Sequence, residues 1–99
     1  MKKTMYIIGA ITQATDAELD LFRLAEEYYI TAGYDVFNPY QKCLDKGYLS
    51  RVECLKYVLA KLVRADAVCI LPTIYKSCDG QLELDIVYRM GVHEINKFD

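Results

Sequence analysis

Apolar residues in this chain fall into short runs separated by stretches at helical spacing. Met5 to Ile8 is a short apolar run that stops at Gly9, and it reads as a first strand. Thr15-Asp16-Ala17-Glu18 fits a capping box, which predicts a helix from Thr15 to about Ala32. Leu21, Ala25, Tyr28 and Ala32 share one face of that helix, with Phe22 and Tyr29 beside them, and Gly33 follows as its stop. Asp35 to Asn38 reads as a second strand that Pro39 ends. Tyr40 to Leu49 mixes polar and apolar residues around Gly47 and reads as a loop or a lid. Ser50-Arg51-Val52-Glu53 is a second capping box, opening a helix with Val52, Leu55, Leu59, Leu62 and Val63 on one face. Ala67 to Leu71 is continuously apolar and partly β-branched, as a strand covered on both faces should be, and Pro72 terminates it. Asp79-Gly80 opens a helix whose apolar positions are Leu82, Ile86 and Met90, with Gly91 as its C-terminal stop. Val92 to Ile95 reads as a short last strand and Asn96 to Asp99 as a tail.

The order β-α-β-α-β-α-β implies right-handed crossovers and a parallel sheet between helical layers. We expect a three-layer α/β/α fold with a small parallel sheet of four to five strands and flavodoxin-like or Rossmann-like topology. With 99 residues, one domain spanning the chain is expected. In sheets of this kind ligands sit outside the carboxyl ends of the strands, where Ser77, Asp79 and Glu83 fall. Glu83 reads as a first-turn residue, a place where the helix dipole favours a carboxylate.

Composition narrows the function classes. The formal net charge is −2 and no basic stripe is present, which argues against a nucleic-acid polymer as partner. No apolar run reaches the length of a membrane span, and the start Met1-Lys2-Lys3-Thr4 does not lead into a signal peptide, so a cytoplasmic location is expected. The spacings of Cys43, Cys54, Cys69 and Cys78 match no zinc template and contain no C-x-x-C pair, so free thiols are expected and no metal. Cys78 precedes a helix start, which can activate a thiol, but the lone histidine, His93, is placed at the far end of that helix. There is no G-x-G-x-x-G and no P-loop; no cofactor is expected.

Four pieces in order carry a resemblance: Tyr6-Ile7-Ile8-Gly9-Ala10-Ile11-Thr12, then Ala32-Gly33-Tyr34-Asp35-Val36-Phe37-Asn38-Pro39, then Ala65 to Pro72, and then Ser77, Gly80 and Glu83 closing at Gly91. Together they resemble the nucleoside 2-deoxyribosyltransferase superfamily, closest to its small uncharacterised bacterial and phage branch, DUF4406-like. The resemblance implies cleavage of the N-glycosidic bond of a deoxyribonucleoside or its 5′-monophosphate. It implies Glu83 as the nucleophile that attacks the anomeric carbon. It places Ser77 near the 5′-phosphate, as in relatives that act on nucleotides. Gly9, Ile11 and Thr12 match the loop that lines base and sugar. Two departures stand out. Val58 occupies the place where the family carries an aspartate, and the glycine of the Ser-to-Glu motif sits one place late, at Gly80.

Cleavage at an anomeric carbon needs a carboxylate to trap an oxocarbenium-like centre and a second group to help the base depart. Glu83 is the candidate catalytic residue. Gly9, Ile11, Thr12, Ser77, Asp79 and Gly80 are the candidate substrate-binding residues. Asp79, one helical turn from Glu83, is a candidate for the same cleft, and Thr12 or Tyr75 for orienting water or sugar. The competing reading is a nucleotide-binding module of the same fold without turnover, which Val58 in place of the acid favours. A thin core and nine tyrosines also point to a homodimer or higher homo-oligomer.

Overall fold

A computed structural model of the protein describes residues 2–47 and 50–98. Strands β1 (Thr4–Ile8), β2 (Asp35–Phe37), β3 (Ala67–Ile70) and β4 (Glu94–Lys97) alternate with helices α1 (Asp16–Thr31), α2 (Pro39–Lys46), α3 (Arg51–Leu62) and α4 (Cys78–Met90). The strands form one sheet in the order β2-β1-β3-β4, and every pairing is parallel. Strand β1 therefore lies inside, with β3 beside it, and crossover helices cover both faces. This is the three-layer α/β/α arrangement with flavodoxin-like order that the alternation of elements implies.

Because side chains alternate across a strand, β1 feeds two cores. Met5 and Ile7 join Phe22, Ala25 and Tyr29 of α1, with Ala67, Cys69 and Leu71 from the third-strand region. Tyr6 and Ile8 join Val58 and Leu62 of α3, Val87 of α4 and Val68 of β3. All four residues of β3 are buried, which accounts for its unbroken apolar run.

Caps set most helix limits. Thr15 accepts from the Glu18 amide at 3.2 Å while the Glu18 carboxylate accepts from the Thr15 amide at 3.0 Å, a complete capping box. Ser50 accepts from the Glu53 amide at 3.1 Å and starts α3. The segment expected to be a loop or lid, Tyr40 to Leu49, is largely helix α2; Tyr48 and Leu49 lie outside the described residues. Asn38 caps it by accepting from the Gln41 amide at 3.1 Å, and Pro39 occupies the first turn, where its missing donor costs nothing. Gly47 closes it in the left-handed region at φ 65°. Asn38 and Pro39 thus end β2 by starting a helix.

The helix after β3 also differs from expectation. A short 3-10 turn spans Pro72–Lys76, and Ser77 caps α4 by accepting from the Gly80 amide at 2.8 Å. The helix therefore starts at Cys78, not at Asp79-Gly80, and Glu83 falls in its second turn, not its first. The last strand runs two residues later than expected and takes in Asn96 and Lys97 from the predicted tail.

The cysteines also depart from expectation. Cys43 of α2 and Cys54 of α3 are joined in a disulfide, with Cα atoms 6.2 Å apart, so only Cys69 and Cys78 are free thiols. The cap geometry brings the two helices together across a short connection, a pairing that their sequence spacing did not reveal. Lys46 stands over the Tyr57 ring at 5.2 Å and adds a further link between α2 and α3. No helix among the described residues is long and apolar enough to cross a membrane.

Candidate functional site

The carboxyl ends of β1 and β3 open onto a cavity of about 340 Å³. Gly9, Ile11 and Thr12 bring the first loop to it, Pro39 starts α2 beside it, and α3 contributes Ser50, Cys54, Leu55 and Val58. Ser77, Asp79 and Glu83 form the α4 wall, and Tyr6 closes the floor. The volume lies at the lower end of the range of about 300–1000 Å³ found for small-molecule sites.

Glu83 is only 6% exposed, although it is an acidic residue on a helix. The Tyr6 hydroxyl donates a hydrogen bond to its Oε2. Burial pushes the Glu83 carboxyl up to about 7; the Tyr6 hydrogen bond pulls the other way, and the nearby Asp79 charge adds to the rise. Burial first, then the Glu83 charge, drives the Tyr6 phenol well above its ordinary value, so Tyr6 remains a donor across the physiological range. The helix-dipole support expected for an ionised Glu83 is outweighed, because a second-turn position receives less of it than a first-turn one. Burial thus opposes the ionised form of Glu83 near neutral pH, and the Tyr6 hydroxyl offsets part of that penalty.

Tyr6 is itself held firmly. Its ring stacks on Phe37 of β2 with centroids 5.5 Å apart, and Phe37 meets Tyr57 of α3 edge-on at 5.6 Å. The strand fixes one end of the phenol and the aromatic stack fixes its plane, so the hydroxyl arrives at one place.

Six of the seven expected site residues line the cavity: Gly9, Ile11, Thr12, Ser77, Asp79 and Glu83. Gly80 does not. A Cβ there would stand 2.8 Å from Ile74 Cδ1 and 3.0 Å from Ser77 Oγ, so this glycine lets the 3-10 turn fold back onto the helix start. Gly9 has a similar packing reason: a Cβ would meet Leu71 Cδ1 at 2.8 Å. The Ala10 amide donates to the buried Thr73 hydroxyl at 3.1 Å, tying the loop after β1 to the 3-10 turn. Lys76 pairs with Glu18 at 2.8 Å and ties the same turn to the start of α1.

Tyr75 is 70% exposed and does not line the cavity, so it is not a candidate for orienting water there. His93 is exposed and sits in a shallow depression with Lys3 and Asp66, away from the cavity. Cys78 is exposed and outside the lining, whereas Cys69 is buried against Tyr29, its thiol pushed up to about 11 by burial. Tyr6, Pro39, Ser50, Cys54, Leu55 and Val58 line the site without having been singled out as binding residues. The signal for Tyr6 was its polar hydroxyl in an otherwise apolar buried strand. Among the described residues no group of histidine, cysteine and acidic side chains is arranged to hold a metal ion.

No curated protein and no solved structure matches the chain. The model of the family described as Domain of unknown function (DUF4406) matches residues 3–95, and the chain belongs to that family.

Proposed function

We propose that this protein binds a deoxyribonucleoside or its 5′-monophosphate in the cavity and cleaves the N-glycosidic bond with Glu83 as nucleophile. The observation that carries this reading is a carboxyl group buried at the wall of a ligand-sized cavity, aimed by the Tyr6 hydroxyl and poised near neutral pH. In the reaction the Glu83 carboxylate forms a bond to the anomeric carbon as the bond to the base nitrogen breaks. The electron pair leaves with the base, which must gain a proton. Water, or a second base, then displaces Glu83 and completes hydrolysis or transfer. Ile11, Leu55, Pro39 and Val58 supply an apolar wall for the flat face of a base, and Thr12, Ser50 and Ser77 supply hydroxyls for sugar or phosphate.

Purified protein incubated with deoxynucleosides and their 5′-monophosphates should release free base on HPLC, and Glu83→Ala should abolish that release. One observation favours a second reading, a nucleotide-binding module without turnover: Val58 lines the cavity where the resembled superfamily carries an aspartate. Tight nucleotide binding with no base released by the unmodified protein would select this module.

The proposal includes self-assembly. Leu82 and Met90 of α4 are 43% and 47% exposed, with Ile86 between them on the same stripe, and a second copy would cover that stripe. Light scattering that returns a strict monomer would remove this part. A cytoplasmic setting belongs to the same reading; thiols there would compete with the Cys43–Cys54 bond.

A further inference from the structure

The Cys43–Cys54 bond has no part in the cleavage proposed above, yet Cys54 lines the cavity. We propose that this pair is a redox switch for the cavity. Oxidised, it holds the α3 wall in place for a nucleoside or nucleotide; reduced, it releases that wall and weakens binding. This rests on the ligand reading above and needs no turnover.

Ser50, the cap of α3, and Cys54, Leu55 and Val58 follow one another at helical spacing and make the α3 wall of the cavity. Cys54 sits in the middle of that stripe, so the bond acts on the wall itself. Its partner Cys43 lies in the later half of α2. The start of α2 is anchored without the bond: the Asn38 side-chain amide donates to Glu26 Oε1 at 3.1 Å, and the Tyr40 ring packs on Phe22. The later half leans on α3 through the bond and through Lys46 over the Tyr57 ring, a far weaker contact. Reduction therefore loosens the end of α2 and the first turns of α3, and leaves the sheet and the Asn38 end in place. The wall also reaches the buried carboxyl. Tyr57 of α3 meets Phe37, Phe37 stacks on Tyr6, and Tyr6 donates to Glu83.

Both cysteines are half-buried, so the bond is not sealed in the core. A thiolate of a dithiol reductant attacks one sulfur; the sulfur–sulfur bond breaks, and its pair goes to the other sulfur, which takes a proton. The reductant's second thiolate then breaks the mixed disulfide, and the first protein sulfur leaves with the pair and takes a proton. The protein gains two electrons and two protons, and the dithiol becomes a disulfide. Glutathione disulfide reverses the exchange. Disulfides in thiol-rich compartments are usually transient or redox-sensing, the use assigned here.

The probes are 2′-deoxyadenosine and its 5′-monophosphate, titrated by calorimetry into oxidised and dithiothreitol-reduced protein; Glu83→Gln replaces the parent for a probe whose base is released. Reduction should weaken binding by about 10-fold, within the usual range for coupled sites. Cys43→Ser should bind like the reduced parent, with or without dithiothreitol. Coupling is reciprocal, so saturating probe should shift the balance in a glutathione buffer about 10-fold toward the disulfide, or about 30 mV. Hydrogen exchange needs no ligand. In the reduced protein α2 and the first turns of α3 should exchange faster while β1 and β3 keep their protection. Protection lost across the sheet would overturn the switch, since the bond would then hold the whole fold. Equal affinity in the two redox states, or a disulfide ratio that ignores the probe, overturns the switch and leaves the ligand reading standing. No binding of either probe in either state overturns both.

Discussion

Strand β1 supplies both faces of the sheet, and the faces are built to different rules. Met5 and Ile7 meet α1 in a core of Phe22, Ala25, Tyr29, Ala67, Cys69 and Leu71, a cluster without an acidic or basic side chain. Tyr6 and Ile8 meet α3 and α4, and there a phenol hydrogen-bonds a carboxyl group within an otherwise apolar layer. The first face gains from every buried atom. The second holds a group whose charged form burial disfavours, and it is the face beside the cavity. A buried carboxyl that strains stability is the usual mark of a functional position, because packing alone would have selected a leucine there.

The comparison is broken most forcefully on the α1 face. Phe22 is fully buried and packs against the Tyr40 ring with centroids 5.8 Å apart. Phe22→Ala should cost about 4 kcal/mol of unfolding free energy, from lost transfer and the cavity left behind. Urea melts at low temperature measure it. If the division of the faces is right, the fraction that stays folded keeps the nucleotide affinity proposed for the cavity within about 2-fold of the parent's; a loss much beyond that would show the faces to be coupled.

Glu83→Gln sharpens the comparison in the opposite direction. Glu83 ionises near 4.5 in the unfolded chain and at about 7 in the folded one. Between those values the folded state holds a proton that the unfolded state has released, so stability falls as pH rises through that window. The shift corresponds to about 3 kcal/mol, the stability lost on going from pH 4 to pH 8. Glutamine cannot ionise and still accepts from Tyr6. The variant should match the parent at pH 4 and exceed it by roughly that amount at pH 8. A parent stability that is flat across this range would mean that Glu83 is not held in its neutral form.

The two faces also explain which parts of the fold were legible in the sequence. Element order, sheet type and the capping-box helices follow from local signals: Thr15 with Glu18, Ser50, and the apolar run of β3. The inward helix faces were read in part. On α1 the spacing put Leu21, Ala25, Tyr28 and Ala32 on one face with Phe22 and Tyr29 beside them; the buried positions are Phe22, Ala25 and Tyr29, and Tyr28 is 56% exposed. On α4 the apolar positions Leu82 and Met90 point outward while Glu83 and Val87 point inward. Hydropathy assigns a glutamate to solvent, so the buried Glu83 hides the true face of its helix. Helix α2 was missed because Asn38-Pro39 was read as a strand terminator; Asn at a cap, Pro in the first turn and Gly47 at the end spell a helix when taken together. The disulfide was missed because it depends on that helix. The cavity's Tyr6 floor requires knowing which way β1 faces, which only the packed helices decide.

The α2–α3 bond offers a third, comparable effect, confined to the cavity side. The crosslink closes a segment with a sequence separation of 11. Its removal should cost about 3 kcal/mol by loop entropy, with strain and residual unfolded structure able to reduce that. Cys43→Ser is the cleaner variant, since Cys54 itself lines the cavity. Chemical denaturation of parent and variant without reductant should show the difference, and adding dithiothreitol should bring the parent to the variant's midpoint. An unchanged parent midpoint on reduction would mean that α2 is held by its caps, by Phe22–Tyr40 packing and by Lys46 over Tyr57, without help from the crosslink.

The smallest effect isolates the hydrogen bond that joins the two rules within one side chain. Tyr6→Phe keeps the ring on Phe37 and removes only the hydroxyl. That hydroxyl favours the ionised form of Glu83, so without it the carboxyl should ionise at still higher pH. A hydrogen bond to a charged group is worth about 1.5–3 kcal/mol, and one to a neutral carboxyl about half as much. The variant should therefore lose about 1 kcal/mol more at pH 8 than at pH 4. Midpoints at the two pH values, with Glu83→Gln and the double variant completing a cycle, separate this from simple packing. In the Glu83→Gln background the cost of Tyr6→Phe should no longer depend on pH. If that dependence persisted, the phenol would be serving some group other than the carboxyl, and Glu83 would owe its aim to the helix rather than to the strand.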